Sequence, residues 1–431
     1  MKNVLILTNH FIPSDVIASF RAKGYALNFK KHGLYPIVVT RNIIERREAE
    51  YIIEKHELYE VHRLPTKQNS GTTNRDRWIY NRHAFIQSLF GYIDRSPENI
   101  ATYDTFSHYL EGLLKRQKID LTLSIFSPFC LIRLAHDIYD KSGIPYAVDF
   151  KDLWDNRYCN LNFAPTIKDK IYNFITRFYL RKWVSKSNLT IHTSAPWKDL
   201  TDKFLKFDIQ KSIVIQNGYE KELFDSLPEK SNQKFTISHA GSLYNNQKLE
   251  LIVDGLKMFL SKNSEDVKVE FIGGNVGHEK DTSVIGKRFR IKNYLTKELP
   301  AENFEFIDRI SRIDLLNRLK KSDVLLFPTF PLAPGTYSGK IFEFLGLKKF
   351  ILAAPNDDGV VDELIHETGA GISANTADDI LEQLQQAFDL WKLKKPLYYG
   401  KQEKIITYSR EKQASVLAFH LKKNFFQASY E

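Results

Sequence analysis

A chain of 431 residues exceeds what one ordinary core can hold and implies two domains. Its 43% hydrophobic and 26% charged content fits a soluble globular protein, and no apolar run approaches the roughly 20 residues that span a bilayer. The net charge of +10 is lopsided: residues 1–205 carry 30 Lys and Arg against 21 Asp and Glu, while the remainder is nearly balanced at 32 against 31. An anionic partner therefore concerns the first half, and without any nucleic-acid module it is a membrane or a phosphorylated substrate.

In chain order, one lysine precedes Val4–Thr8, too short an apolar run for a signal-peptide core and the length of a first strand. Phe11-Ile12-Pro13-Ser14-Asp15 follows as a loop, and the pattern from Ala18 to Lys31 is helical, ending at Gly33 and carrying Arg21. Pro36–Thr40, Leu121–Phe126, Tyr146–Phe150, Leu189–Thr193 and Ile213–Gln216 are further strands, alternating with amphipathic helices as in a doubly wound α/β domain. Residues 67–77 are polar and expected to form a mobile loop. At the carboxyl end of the Tyr146–Phe150 strand, Asp149, Lys151 and Asp152 place two carboxylates around a lysine, where α/β domains put functional side chains. The alternative is local: Asp152 capping the next helix and Lys151 pairing with a carboxylate. Residues 166–186 carry six cations and one acid, with Ile171, Phe174, Phe178 and Trp183 at near-helical spacing. That pattern suits either a membrane-surface helix or a domain-packing helix with a basic outer face.

Asn217-Gly218 is a turn signal, and Leu227 to Lys234 reads as a linker. The α/β pattern then restarts with Phe235–His239, Val267–Ile272, Phe304–Ile307, Val324–Phe327 and Phe350–Ala354. Cys130 and Cys159 form no disulfide framework or metal-ligand spacing, which points to a reducing cytoplasm, and the 12 histidines show no metal-ligand spacing either.

The most informative stretch is Gly335-Thr336-Tyr337-Ser338-Gly339-Lys340, running into Ile341-Phe342-Glu343-Phe344-Leu345-Gly346. A small-residue loop leads into a helix whose Ile341, Phe344 and Leu345 share a core-facing side. The first-turn N–H groups of such a helix favour an anion, and Lys340 adds a full positive charge there. A diphosphate fits this pattern, with Glu343 placed for ribose hydroxyls; an ordinary core helix capped by Ser338 fits it as well. It is not a P-loop. Earlier in the same half, the strand through Ile237 and His239 opens into Gly241-Ser242, with Lys248 soon after, a second phosphate-contact candidate or an ordinary strand-to-helix turn.

Ser338-Gly339-Lys340-Ile341-Phe342-Glu343-Phe344-Leu345, with Lys348 to Ala353 beyond it, resembles the donor-site signature of GT-B nucleotide-sugar glycosyltransferases, specifically the large retaining bacterial family (glycosyltransferase family 4-like). The resemblance implies that Glu343 binds the ribose and that Gly335, Thr336, Ser338, Gly339 and Lys340 meet the diphosphate, with Gly241, Ser242 and Lys248 as the second donor loop. Members often carry Glu-x7-Glu here; Gly335 stands where the first glutamate falls. Asp149 to Trp154 is similar to an Asp-Phe-Arg-Asp-x-Trp motif in a subgroup, with Lys151 in the place of a histidine found in other members. By this likeness Asp149 or Asp152 orients or deprotonates the acceptor, Lys151 binds a phosphate or pairs locally, and Ser14 and Arg21 lie on the acceptor side.

The expected architecture is α/β, GT-B, with two Rossmann-like doubly wound domains facing across a cleft. Residues 1–227 form the acceptor domain, 228–404 the nucleotide-sugar domain, and 405–431 a C-terminal helix packing back on the first. The implied function is transfer of a sugar from a nucleotide-sugar to a glycan or lipid-linked acceptor in bacterial surface polysaccharide or glycolipid synthesis. The resemblance implies retention of anomeric configuration, and the lack of an Asp-x-Asp motif favours a reaction without metal or cofactor. The expected setting is cytoplasmic, on the inner face of the membrane. The alternatives are a nucleotide-sugar 2-epimerase of the same fold and a non-catalytic sugar-nucleotide-binding protein.

Overall fold

A computed structural model describes residues 1–14, 17–44, 47–65, 88–89, 91, 93, 97–207, 211–229, 231–244, 247–273 and 284–426. The expected loop 67–77 lies outside the described residues. The chain forms two compact units: Met1–Tyr158 with Asn162–Gln216 and Arg410–Glu431, and Asn217–Ser409 with the short piece Cys159–Leu161.

The first unit is built on eight strands: β1 (Lys2–Leu7), β2 (Leu34–Arg41), β3 (Ile52–Lys55), β4 (Glu60–Leu64), β5 (Leu121–Phe126), β6 (Tyr146–Phe150), β7 (Leu189–His192) and β8 (Ser212–Val214). Their order is β3-β4-β2-β1-β5-β6-β7-β8, parallel except for β3, which runs antiparallel on the edge. Every residue of β5 and β6 is buried, as near-continuous apolar strands covered on both faces should be. The order reverses between β1 and β5, so the carboxyl ends of these strands form the crevice where such sheets hold ligands. The helix Arg410–Phe425 completes this unit. Its Ala414, Leu417, Ala418 and Leu421 join Ala22, Tyr25, Ala26 and Phe29 in one core.

The second unit holds β9 (Phe235–Ala240), β10 (Val267–Ile272), β11 (Phe304–Ile307), β12 (Val324–Pro328), β13 (Phe350–Ala354) and β14 (Gly371–Ser373). The order is β11-β10-β9-β12-β13-β14, parallel throughout, with the reversal between β9 and β12. Two cores cover the two faces. Val324 and Leu326 of β12 turn to one with the helices Leu249–Asn263 and Ala377–Lys392, while Leu325 and Phe327 turn to the other with the helix Gly339–Leu347. This is the period-two alternation of a strand buried on both sides.

The unit boundaries differ from those expected. The first unit ends at Gln216 rather than at 227, and the second at Ser409 rather than at 404. Tyr219, Phe224 and Leu227 are buried in the second unit's core, and so are Ile405 and Tyr408. Gly346 makes room for the first two: a Cβ there would lie 2.6 Å from the Tyr219 ring and 2.9 Å from Phe224. The strands β3, β4 and β14 were also absent from the sequence reading, being short and, in β3, half exposed.

At the amino-terminal edge of the second sheet, the Thr236 N–H donates to Asp323 Oδ2 at 2.8 Å. Burial nonetheless pushes the Asp323 carboxyl up to about 6, outweighing the Thr236 amide and nearby Lys349. Between pH 4 and 6 the native state thus holds a proton that the unfolded chain releases, so this group lowers stability as pH rises through that window, and the penalty is complete above it. Asp323→Asn is expected to raise urea-unfolding stability at pH 7.5 by up to about 3 kcal/mol, a gain that vanishes near pH 4. An identical difference at both pH values would refute the raised pKa.

Candidate functional site

In the second unit the crevice follows from how β9 and β12 part. They share two residue pairs, Val324↔Ile237 and Leu325↔Ser238. Beyond these, side chains take over from the backbone ladder. His239 Nδ1 donates to the Leu326 carbonyl at 3.1 Å, and Gln247 Nε2 donates to the Pro328 carbonyl at 2.9 Å while its Oε1 accepts from the Tyr244 N–H at 2.7 Å. Burial drops the His239 pKa to about 4, so the imidazole is neutral with its proton on Nδ1, facing the carbonyl.

Gly241 leaves β9 at φ +119°, a backbone region that favours glycine. A Cβ at this position would sit 2.2 Å from Lys340 Cε, so the lysine stem lies directly across the Gly241 backbone. Gly273, at the end of β10, packs behind it, where a Cβ would come within 3.1 Å of Gly241 Cα. Lys340 is thus delivered from the first turn of the helix Gly339–Leu347 to the ends of β9 and β12. Burial holds its pKa below the ordinary lysine range, as do Arg309 and Arg312, while Glu343 pulls the other way. An arriving anion would relieve that penalty.

The sequence-predicted loop arrives at the same place. Gly335 takes φ +78°, Thr336 Oγ1 lies 3.8 Å from Cys159 Sγ, and Ser338 caps the helix by accepting from the Lys340 N–H at 3.4 Å. Ile341, Phe344 and Leu345 are buried as expected. Glu343 is half-buried and accepts from Arg312 Nη2 at 3.0 Å, and Arg312 Nη1 reaches Glu220 at 2.7 Å. Arg312 and Glu220 were not foreseen: they lie 31 and 123 positions from Glu343 in sequence, with no shared motif. Ser242 is half-buried beside Gly241, whereas Lys248 is exposed at the N-cap of the helix Leu249–Asn263. Of the two lysines, Lys340 is therefore the one the fold seats against the crevice.

In the first unit the three residues of the Asp-x-Lys-Asp motif separate. Asp149 is fully buried and bonded to Arg21, with Nε–Oδ2 at 2.7 Å and Nη2–Oδ1 at 2.9 Å, and Tyr25 donates to Oδ2 at 3.1 Å. Arg21 also donates to the carbonyls of Ile215 and Gln216 at 3.0 and 3.2 Å. Asp149, expected as acceptor base, and Arg21, expected as acceptor contact, are thus paired with one another and buried. Lys151 is hydrogen-bonded to Asp152, as the local reading allowed, and Asp152 remains 43% exposed.

Asp152 borders a pocket of about 250 Å³ with Phe126, Phe129, Leu153, Trp154, Asp155 and Asn156, at the carboxyl ends of β5 and β6. Aromatic walls and flanking carboxylates are the chemistry that receives a sugar ring and its hydroxyls. Ser14 sits beyond β1, its carbonyl accepting from Ser19 Oγ at 2.5 Å. His10, just past β1, was missed. Burial lowers its pKa, and so do the charges of Lys151 and Arg41. Its place at a strand's carboxyl end was the available signal. Among the described residues no group of three or more His, Cys, Asp and Glu is clustered for a metal, and no helix is long and apolar enough to cross a membrane.

No protein-family model and no curated protein matches this sequence. Solved structures do resemble the whole chain. A sucrose-phosphate synthase of Thermosynechococcus elongatus aligns at 11% identity with a TM-score of 0.67, covering 98% of this chain and 99% of its own. A glycosyltransferase of Rickettsia africae aligns at 15% identity and TM-score 0.61 over 99% of both chains. HepE of Anabaena, solved with UDP, aligns at 12% and 0.55 over 99% of this chain and 96% of its own. The shared architecture, two parallel-sheet Rossmann-like domains, is the GT-B fold.

Truncating the buried cation tests what the Arg21–Asp149 pair contributes. Arg21→Ala is expected to lose about 3–5 kcal/mol in chemical denaturation, because Asp149 is left charged and buried, while Arg21→Met with Asp149→Leu recovers most of it. Wild-type stability of Arg21→Ala would show that the pair does not hold this unit together.

Proposed function

We propose that the protein is a glycosyltransferase that takes a sugar from a nucleotide-sugar in its second unit and passes it to an acceptor hydroxyl bound by the first. The carrying observation is Lys340, laid across Gly241 at the point where β9 and β12 part, one helical turn from Glu343. Breaking a sugar–phosphate bond leaves a nucleoside diphosphate gaining negative charge. A half-buried ammonium and the first-turn amides of the helix Gly339–Leu347 stabilise that charge more in the transition state than in the ground state. Lys340 and the amides take the diphosphate with Gly335, Thr336, Ser338, Gly339, Gly241 and Ser242 around it, and Glu343 accepts from the ribose hydroxyls with Arg312 fixing its direction. Lys248 serves only at the rim.

On the acceptor side, Asp152 orients the hydroxyl at the mouth of the aromatic pocket, steadied by Lys151, and His10 and Ser14 line the neighbouring strand end. The motif resemblance supports a retaining, metal-independent enzyme of the family 4-like group, with cytoplasmic assembly of a bacterial surface polysaccharide or glycolipid as its setting. The structural likeness to HepE solved with UDP supports a nucleotide-sugar donor.

The test is thermal stabilisation by a panel of nucleoside diphosphates and nucleotide-sugars. One nucleotide is expected to raise the melting temperature of the wild type by several degrees, since a ligand that binds only the native state must stabilise it. Glu343→Ala should lose most of that shift. Gly241→Ala should abolish it while costing about 1–3 kcal/mol of its own, from a strained φ and a displaced Lys340. No response to any nucleotide by the folded wild type would overturn the reading. Stabilisation without transfer to any acceptor pool would leave a binding protein instead.

A further inference from the structure

The helix Ile167–Val184 has two apolar faces, and one of them is turned to solvent. Its inner side packs through Thr176, Leu180, Trp183 and Val184, all buried. Its outer side carries Ile167, Ile171, Phe174 and Phe178, exposed by 78%, 46%, 72% and 60%. At 100° per residue these four fall within about 60° of one another, a single stripe along three turns. Exposed apolar residues scattered singly need no explanation, but a continuous stripe with two phenylalanines does.

The exposed charges that the helix itself sets beside the stripe are positive. Lys168, Lys170 and Lys182 are exposed alongside it. The one acid between 166 and 186, Asp169, is engaged elsewhere: it closes the capping box with Thr166 and accepts from Arg157 at 2.8 Å. The same helix borders the aromatic pocket from its other side: Asn173, about 130° around from the stripe, accepts from Trp154 Nε1 at 3.2 Å.

We propose that this face docks on the surface of a bilayer containing anionic phospholipid, with Ile167, Ile171, Phe174 and Phe178 entering the headgroup boundary and the lysines meeting lipid phosphates. The helix is too polar on its flanks to span, and a basic amphipathic face of this kind lies in the interface plane. Anionic lipid complements both the local lysines and the excess of cations in residues 1–205. A second copy of the chain would bring like charge against like. Docking here holds the aromatic pocket about one helix diameter, roughly 10 Å, from the bilayer surface, and this narrows the acceptor of the proposed transfer to one that is lipid-borne. Only that last step rests on the glycosyltransferase reading; the docking does not.

Vesicle flotation tests it with no activity assay. The wild type is expected to float with phosphatidylcholine vesicles containing phosphatidylglycerol, not with phosphatidylcholine alone, and to release as salt rises. Phe174→Ser with Phe178→Ser should weaken binding by about tenfold or more, and Lys168→Gln with Lys170→Gln by a similar factor. All these positions are exposed, so both variants should keep the wild-type melting temperature and its nucleotide-dependent shift. Binding unaffected by either double variant, or no preference for phosphatidylglycerol, would overturn the proposal. So would a dimer in gel filtration that the phenylalanine variant converts to monomer, since the face would then belong to a second copy. If flotation succeeds and no nucleotide stabilises the protein, the docking stands and the transferase reading falls.

Discussion

Two parallel strands whose crossovers leave toward opposite faces of a sheet cannot stay paired to their ends. That constraint governs the second unit. After Leu325 the backbone ladder between β9 and β12 stops, and the peptide groups beyond it need other partners. His239 and Gln247 provide them from side chains, at 3.1 and 2.9 Å, so the gap is braced without being closed. The glycines follow from the same opening: Gly241 at φ +119° lets the chain turn out of β9 with nothing projecting into the gap, and the space it leaves is the space Lys340 occupies. A cation reaches the crevice because a side chain is missing opposite it.

The first unit meets the same reversal with a buried ion pair. Arg21 ties the helix Ile17–Asn28 to β6 through Asp149, and to the end of the unit through the carbonyls of Ile215 and Gln216. Bidentate geometry, a tyrosine donor and two carbonyls leave little of either charge unsatisfied, which is the condition under which such a pair can be held in a core. The strand end therefore divides its acids by depth. Asp149 fixes the frame, and Asp152, three residues on and past the strand, faces the pocket.

How much of this the sequence disclosed depended on how local each feature was. Leu121–Phe126, Tyr146–Phe150, Val267–Ile272, Phe304–Ile307 and Phe350–Ala354 were legible to the residue, because each is a short run dominated by apolar and β-favouring residues between helical or turn-forming stretches. The loop into Ile341, Phe344 and Leu345 was equally plain, since a helix period follows it directly. The partners of those residues were not. Arg21 and Asp149 are 128 positions apart, and no pattern in a single sequence couples them. Two aspartates flanking a lysine look alike in sequence; only the end of the strand tells them apart, with Asp149 inside β6 and Asp152 past it. The boundary at Gln216 was hidden for a similar reason, because Tyr219 and Phe224 reveal their side only through the space left at Gly346. The exposed stripe on Ile167–Val184 showed its composition early, but which aromatics faced out required the fold.

The chain visits its first unit twice, before and after the second, and this sets an order on synthesis. A ribosome that has released residues through Ser409 has delivered everything the second unit contains, while the first still lacks the helix Arg410–Phe425. Until that helix emerges, Ala22, Tyr25 and Ala26 have no Leu417 or Leu421 to cover them, and the crease beside Gly24, where the Arg410 side chain comes to rest, stays open. The unit begun first is thus completed last, and the nascent protein can complete its second unit before the half that carries the lysine-flanked stripe is closed.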